Sequence, residues 1–480
     1  MHPLGEPGSK QCGYTIQLSC HAAMRVCLHI GRVSSDQETT MSHCRLQKFA
    51  LFSGVALLST VALAGPQHAP QPADHGVPKH DLDSRHRLSA ARFDSVDVEA
   101  GTSFTVTAAG DLCDSTPNDC RRTSDRVIAI DPVVALILGD NAYDNGTLSE
   151  YNTRYDPNWG RFKDITAPIP GNHEYQSSSS ATGYFDYFNG VGNQTGPAGD
   201  RSRGYYSFDA GDWHFIALNS RTGGVVSSTQ LAWLDEDLRS NSKPCTIAYV
   251  HHPMVSRGSY TPGIANIKPI FDRLYAARVD LLLTGHDHNY QRYGRMDSNQ
   301  NAQDDGVRQV IVGTGGRNIG PSSIGTHPLL FAKQGTTYGI LRLDLTPTDY
   351  VGTFVPVSGS TYTDEFSGTC HRADGVVGDY LLTTTASISI PRRSSGGKNI
   401  NVLSYGDFDD PVDLSLSGLP TGVTATWSID PVTAIPDANT LSRVTLRVSS
   451  TATAGTYPIT VTGTSGDFSR TVNFSLIVRN

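Results

Sequence analysis

Five short polar blocks could do chemistry together: Gly110-Asp111, Gly139-Asp140-Asn141-Ala142-Tyr143, Gly171-Asn172-His173-Glu174, His251-His252-Pro253 and Gly285-His286-Asp287-His288. Between them they offer carboxylate, imidazole, amide oxygen and phenol. That donor set suits two metal ions of borderline hardness. Singly, each block has an ordinary structural use: Gly-Asp is a common turn, Asn172 could cap a helix start, and polar residues can simply end a strand. In order, each behind an apolar stretch, they point to one site, because the odds of coincidence multiply down as independent motifs accumulate.

The apolar stretches read as strands: SFTVTAAGD ends at Asp111, VVALILGD at Asp140, CTIAYVHH at His252 and DLLLTGHDH at His288, with the short APIPGNHEY between them. Helical patterns alternate with these strands, near Ser124 to Ile130 and in LSEYNTRY, STQLAWLDEDLRS and IKPIFDRLYAARV. YYSFDAGDWHFIALNS reads as a hairpin turning at Ala210-Gly211-Asp212. Late strands VRQVIVGTGG, YGILRLDL and DYVGTFVPV pair without helices between them. An α/β sandwich with a mixed sheet follows, and in such sheets ligands gather beyond the carboxyl ends of the strands. His286 and His288 would point the same way if the strand ran on through them, whereas His252 would point away from His251. The GTGGR run, Gly313 to Arg317, reads as a tight turn; its alternative use is to offer N–H groups or a guanidinium to a substrate.

A chain of 480 residues is too long for one ordinary core, and its net charge of -8 argues against a general nucleic-acid or anionic-membrane binder. Residues 1–40 have no clear periodicity and read as an over-long start; 41–64 have the basic, apolar and small-residue layout of a secretory signal, and 65–100 read as a flexible leader. No stable membrane insertion is expected once such a signal is cleaved. The catalytic domain is expected over 101–372, a linker over 373–384, and a β-sandwich over 385–480, where apolar residues alternate strictly as in Val412, Leu414, Leu416 and Val472, Phe474, Leu476, Val478. In an exported chain Cys113, Cys120, Cys245 and Cys370 would form disulfides. Of three connectivities, Cys113–Cys120 with Cys245–Cys370 is the expected one, and sequence leaves the others open.

The blocks resemble those of the calcineurin-like metallophosphoesterases, and within them the purple acid phosphatases and their secreted bacterial relatives. The resemblance covers about Thr102 to His371. It implies two mixed β-sheets flanked by helices and a site of two metal ions, iron with zinc, manganese or iron. Asp111, Asp140, Tyr143 and His288 would serve the first metal, and Asp140, Asn172, His251 and His286 the second, with Asp140 bridging. His173 would be the outer-sphere catalytic histidine on the phosphate. The first block departs from the family's DxH or DxG, reading Asp111-Leu112-Cys113. That makes Tyr143 more important, while Cys113 is expected in a disulfide rather than on the metal. The paired metals would supply hydroxide near neutral pH for attack on a phosphoric ester, a monoester first and a diester or nucleotide as the alternative, in a secreted enzyme acting on a small phosphorylated substrate. A rival reading makes the chain a non-catalytic surface-binding protein. The C-terminal sandwich resembles immunoglobulin-like modules and would serve as spacer, export aid or surface attachment.

Overall fold

In a computed structural model of the chain, the described residues are 95–115, 117–221, 226–258, 265–320, 324–373, 378–436, 438–466 and 468–480. The expected start segment, signal and most of the leader lie outside them. Among the described residues no helix is long and apolar enough to cross a membrane.

The core strands are β1 (Ser95–Val96), β2 (Phe104–Ala109), β3 (Val134–Ile137), β4 (Thr166–Pro168), β5 (Tyr206–Ala210), β6 (Trp213–Ala217) and β7 (Cys245–Tyr249). They continue as β8 (Leu281–Thr284), β9 (Tyr290–Met296), β10 (Val307–Val312), β11 (Leu330–Gln334), β12 (Gly339–Leu345), β13 (Asp349–Pro356) and β14 (Glu365–Thr369). One sheet runs β1-β5-β6-β7-β8-β10-β9-β11 and the other β14-β13-β12-β2-β3-β4. Both are mixed: β6, β7 and β8 are parallel while β5 opposes β6, and β2, β3 and β4 are parallel while β12 opposes β2. Helices α1 (Pro117–Ile130), α2 (Leu148–Glu150), α3 (Thr182–Phe188), α4 (Ser228–Ser240) and α5 (Lys268–Ala276) connect them, α2 running into one π-helical turn at Tyr151–Tyr155.

Strand alternation divides the apolar residues between two cores. Phe215 and Ala217 of β6 and Leu281 and Leu283 of β8 face a core shared with Val106, Leu136 and Leu341 of the other sheet. Ile216 and Leu282 face the opposite way, against Leu234 and Leu238 of α4 and Ile270, Phe271 and Leu274 of α5. A strand covered on both faces has no polar side, which is why Leu281-Leu282-Leu283 is an unbroken apolar run. Each such side chain contributes about 1.5–3 kcal/mol by leaving water.

The all-β region after the core holds β15 (Asp379–Thr383), β16 (Ser387–Pro391), β17 (Ser394–Tyr405), β18 (Pro411–Ser417), β19 (Val423–Trp427), β20 (Val432–Thr433), β21 (Asn439–Val448), β22 (Gly455–Ser465) and β23 (Phe468–Arg479). They form sheets β15-β17-β21-β19 and β16-β23-β22-β18-β20 around a core of Ile400, Val402, Leu446, Ile459 and Leu476. Two expected boundaries move. Ser95-Val96, assigned to the leader, pairs in parallel with Asp209 and Ala210 of β5. Asp379–Thr383, assigned to the linker, is a sandwich strand paired with Asn401–Tyr405. Composition missed both because each is a short segment beside a loop-like stretch, and Ser95-Val96 has its partner more than a hundred residues away. The sandwich also packs on the core: Leu381, Leu403 and Tyr405 join the α4/α5 cluster, and the Tyr405 hydroxyl donates to Asp235 at 2.8 Å.

Candidate metal centre

Five strands drawn from both sheets deliver the site. Asp111 lies just beyond β2, Asp140 beyond β3 and Asn172 beyond β4, all in the six-stranded sheet, while His251 follows β7 and His286 follows β8 in the eight-stranded sheet. The centre therefore sits where the carboxyl edges of two sheets meet.

Their side chains converge. The Tyr143 hydroxyl is 2.9 Å from Asp111 Oδ1, 3.0 Å from Asp140 Oδ2 and 3.2 Å from His288 Nε2. His288 Nε2 is 3.5 Å from Asp111 Oδ1. On the other side of Asp140, His251 Nε2 is 3.3 Å from Asp140 Oδ2, 3.1 Å from Asn172 Oδ1 and 3.3 Å from His286 Nδ1. Donor atoms of Asp140, His251 and His286 all lie within 4.8 Å of one another. All seven residues expected as ligands thus meet in two clusters that share Asp140.

The local backbone is bent to do this. Asp111, Asp140 and His286 have φ of 58°, 50° and 69°, a left-handed conformation that costs a side-chain-bearing residue about 1–3 kcal/mol. Hydrogen bonds hold each in place: Asp111 N–H to Gly139 O at 3.1 Å, His286 N–H to Asp111 Oδ2 at 2.8 Å, and His173 N–H to Asp140 Oδ1 at 2.9 Å. The bend at His286 corrects the sequence reading of the paired histidines. The strand stops at Thr284, so His286 and His288 do not share a face by alternation; each turns to a different cluster. Gly139, with φ of 88°, has no room for a side chain, since a Cβ there would come 2.6 Å from His251 Nδ1.

Electrostatics fit a cationic guest. His251 and His288 place Nδ1 against the carbonyls of Leu138 (2.8 Å) and Asn318 (3.0 Å), which fixes those nitrogens as donors and leaves each Nε2 facing carboxylate, amide or phenol oxygen. Burial, reinforced by neighbouring charge, depresses His286 to about 3, and burial depresses His288 to about 4, so both present neutral lone pairs. Burial pushes Asp111 up to about 8 against the pull of His251. For Asp140, burial is outweighed by His251, whose charge and hydrogen bond hold the carboxyl below its usual range; burial likewise opposes charge on His251, but Asp140 raises it to about 9. The Tyr143 hydroxyl is driven well above the ordinary phenol range by burial and then by Asp111 and Asp140. Carboxylate, imidazole, amide and phenol groups so crowded and so little exposed are a donor set suited to cations, whose charge would take over the part that charged His251 plays beside Asp140. Cys113 is not among the donors: it is bonded to Cys120 of α1, and Cys245 is bonded to Cys370.

His173 stands beside the ligands. Its Nδ1 is 2.6 Å from Asp144 O, its Nε2 3.8 Å from Asp140 Oδ2, its ring 4.4 Å from that of Tyr143, and its side chain is 27% exposed, open to an incoming molecule. Three further residues were not assigned from sequence. Glu174 is fully buried and accepts from the N–H groups of Gly171 (2.7 Å), Asp140 (3.0 Å) and Asn141 (2.9 Å) and from the Tyr151 hydroxyl (3.0 Å). It ties the β3 and β4 loops together; its position inside Gly-Asn-His-Glu was the available signal. His252, expected to face away, packs its ring 4.2 Å from that of His286 with Nδ1 2.7 Å from Ser220 Oγ, because the chain leaves the extended form after β7. Arg317, from the GTGGR turn, lies over the Tyr143 ring at 4.5 Å and bonds to Asp144 at 3.0 Å.

Residues 104–290 match the family model for calcineurin-like phosphoesterases. Purple acid phosphatase 23 of Arabidopsis thaliana is 29% identical over 225 residues, 40% of this chain and 49% of that protein. Purple acid phosphatase 15 of the same plant is 28% identical over 226 residues, 40% of this chain and 42% of that one; purple acid phosphatase 13 is 33% identical over 179 residues, 35% and 32%. The chain spans less than half the length of these relatives.

Proposed function

We propose that this chain, whose core is that of a calcineurin-like metallophosphoesterase related to the purple acid phosphatases, hydrolyses phosphoric monoesters with two metal ions held by Asp111, Asp140, Tyr143, Asn172, His251, His286 and His288. The observation that carries the reading is the position of Asp140, whose Oδ2 lies 3.0 Å from Tyr143 on one side and 3.3 Å from His251 on the other. A carboxylate shared by two donor clusters is what a bridging ligand requires. The bound ions would supply Lewis-acid activation of water and neutralise charge on the phosphoryl oxygens.

The chain's own groups do the rest. Asn172, held at the head of the 3-10 turn His173–Tyr175, presents its amide oxygen beside His251. The partly exposed His173 meets the substrate's phosphoryl group and protonates or steadies the leaving oxygen. Two disulfides and the secreted character expected from residues 41–64 support a site of action outside the cytoplasm. The sandwich, read as immunoglobulin-like, serves as a spacer docked on α4 and α5.

The test is metal content by elemental analysis, the visible spectrum, and turnover of p-nitrophenyl phosphate. Two metals per chain with activity lost in Asp140→Ala and His286→Ala are expected, and iron with a purple colour if Tyr143 is a ligand. Near-wild-type turnover in either folded variant rejects the assignment.

A further inference from the structure

We propose that a cavity between Arg203 and Arg221 is a subsite for a second phosphoryl group, carried by the substrate or present as free phosphate; as a substrate subsite it rests on the phosphoesterase reading above. The cavity measures about 220 Å³, and its described lining includes Arg203, Arg221, Tyr205, Ser202 and Thr229, with no acidic residue. Arginine forks match phosphoryl oxygens in charge and geometry.

The walls are fixed. Gln230, buried, accepts from Asn219 N–H at 2.8 Å and donates to Asn219 O at 2.7 Å. The Asn219 side chain in turn donates to the Tyr175 hydroxyl (2.7 Å) and Arg203 O (2.9 Å) and accepts from Arg221 N–H (2.9 Å). One buried amide therefore sets the backbone of both arginines. Arg221 lies over the Tyr175 ring at 5.2 Å, and its Nη2 donates to Ser179 O at 3.0 Å, neither of which neutralises it. Asp200 influences Arg203, but its Oδ1 is taken by Ser202 N–H (2.7 Å), Ser202 Oγ (2.6 Å) and Gln194 Nε2 (2.9 Å). Two guanidiniums against one occupied carboxylate leave the cavity cationic. Both arginines line one hollow, and their backbones are tied to the same Asn219 amide.

The cavity is linked to the metal centre by two short paths through the fold. Tyr175 is two residues past His173, and Ser220, between Asn219 and Arg221, contacts His252, which packs on His286. Asn219 follows β6, the neighbour of β7 that delivers His251. A substrate whose scissile phosphoryl group sits at the metals could place a second one here.

The experiment compares kcat/KM of metal-loaded protein for a hexose 1,6-bisphosphate and a hexose 6-phosphate, in wild type and in Arg203→Gln/Arg221→Gln, with calorimetric titration of inorganic phosphate into both. Both arginines are exposed, so the variant should fold, and its melting temperature checks this. An approximately tenfold fall in the bisphosphate-to-monophosphate ratio, carried by KM, is expected for a substrate-borne group. An unchanged ratio with loss of one of two phosphate-binding events assigns the cavity to free phosphate. An unchanged ratio with the same phosphate stoichiometry in both proteins overturns the proposal. Absence of any phosphoester turnover by the wild type would reject the phosphoesterase reading instead, and the calorimetry would still decide the cavity.

Discussion

Glu174→Gln is a sensitive probe of how the centre is built, because it changes one atom in a buried residue that is outside the proposed ligand set and closed to substrate. Five donors and no acceptor converge on the Glu174 carboxylate: Gly171 and Asp140 N–H on Oε2, and Asn141 N–H, the Tyr151 hydroxyl and, at 3.5 Å, Ala142 N–H on Oε1. Burial, then Asp140, raises its pKa, yet only the ionised form can accept from all five. A glutamine would turn its nitrogen toward Tyr151, whose hydroxyl can reverse and accept, while the Asn141 N–H is left without a partner. One orphaned buried N–H costs about 1–3 kcal/mol, and exchanging a charged for a neutral acceptor on the surviving bonds removes roughly 1 kcal/mol more. The loss should fall on the Asp140 loop, so metal affinity should weaken as well as stability. A shift of ~1 Å in a bridging ligand is enough to lower kcat/KM about 10²-fold. Chemical denaturation, metal titration and phosphatase kinetics on the purified variant read all three. A variant with wild-type denaturation midpoint, metal affinity and kcat/KM would refute the claim that Glu174 positions Asp140.

Further outcomes follow from other residues. His173→Ala should keep both metals while kcat falls about 10²–10³-fold; metal loss in that variant would move His173 into the ligand set. His214 sits between Asp209 (2.7 Å) and Asp237 (3.1 Å), and although burial opposes its charge, hydrogen bonds to those carboxylates raise it to about 9. A raised imidazole stabilises fully below its unfolded value of about 6.5 and loses that contribution as pH climbs through 9, roughly 2–3 kcal/mol after allowing for the exposure of Asp209. Denaturation midpoints from pH 6 to 10 should therefore decline less in His214→Gln than in wild type, and parallel curves would refute this. Chelation should lower the melting temperature, since ions that bind only the folded state stabilise it by mass action, and an unchanged melting curve after verified metal removal would count against the centre.

Much of the fold was legible because its strands carry strong local signals. The runs ending at Asp111, Asp140, His252 and His288 are strands or strand ends, the hairpin turns at Gly211, and the expected disulfide pairs are the observed ones. Less legible were segments whose state depends on distant partners. Leu330–Gln334 pairs with β9, and Tyr290–Met296 continues from the loop that carries His286 and His288. The stretch before Asn189 gave no pattern because α3 buries Tyr184, Phe185, Tyr187 and Phe188 almost all round, against Tyr151 and Tyr155.

What the sequence determined by itself was the kind and order of donors and the apolar strands that precede them, since residue type and short-range periodicity are local properties. Tertiary structure decided which donors face one another: two sheets had to pack across a shared core with their strands' carboxyl ends together before Asp111 could lie near His288, separated by so much chain. It also decided direction, through left-handed turns at Asp111, Asp140 and His286 that local sequence does not specify and that packing and hydrogen bonds impose. Glu174, His252 and the arginine-walled cavity belong to that second class, because their roles arise from neighbours brought in by the fold.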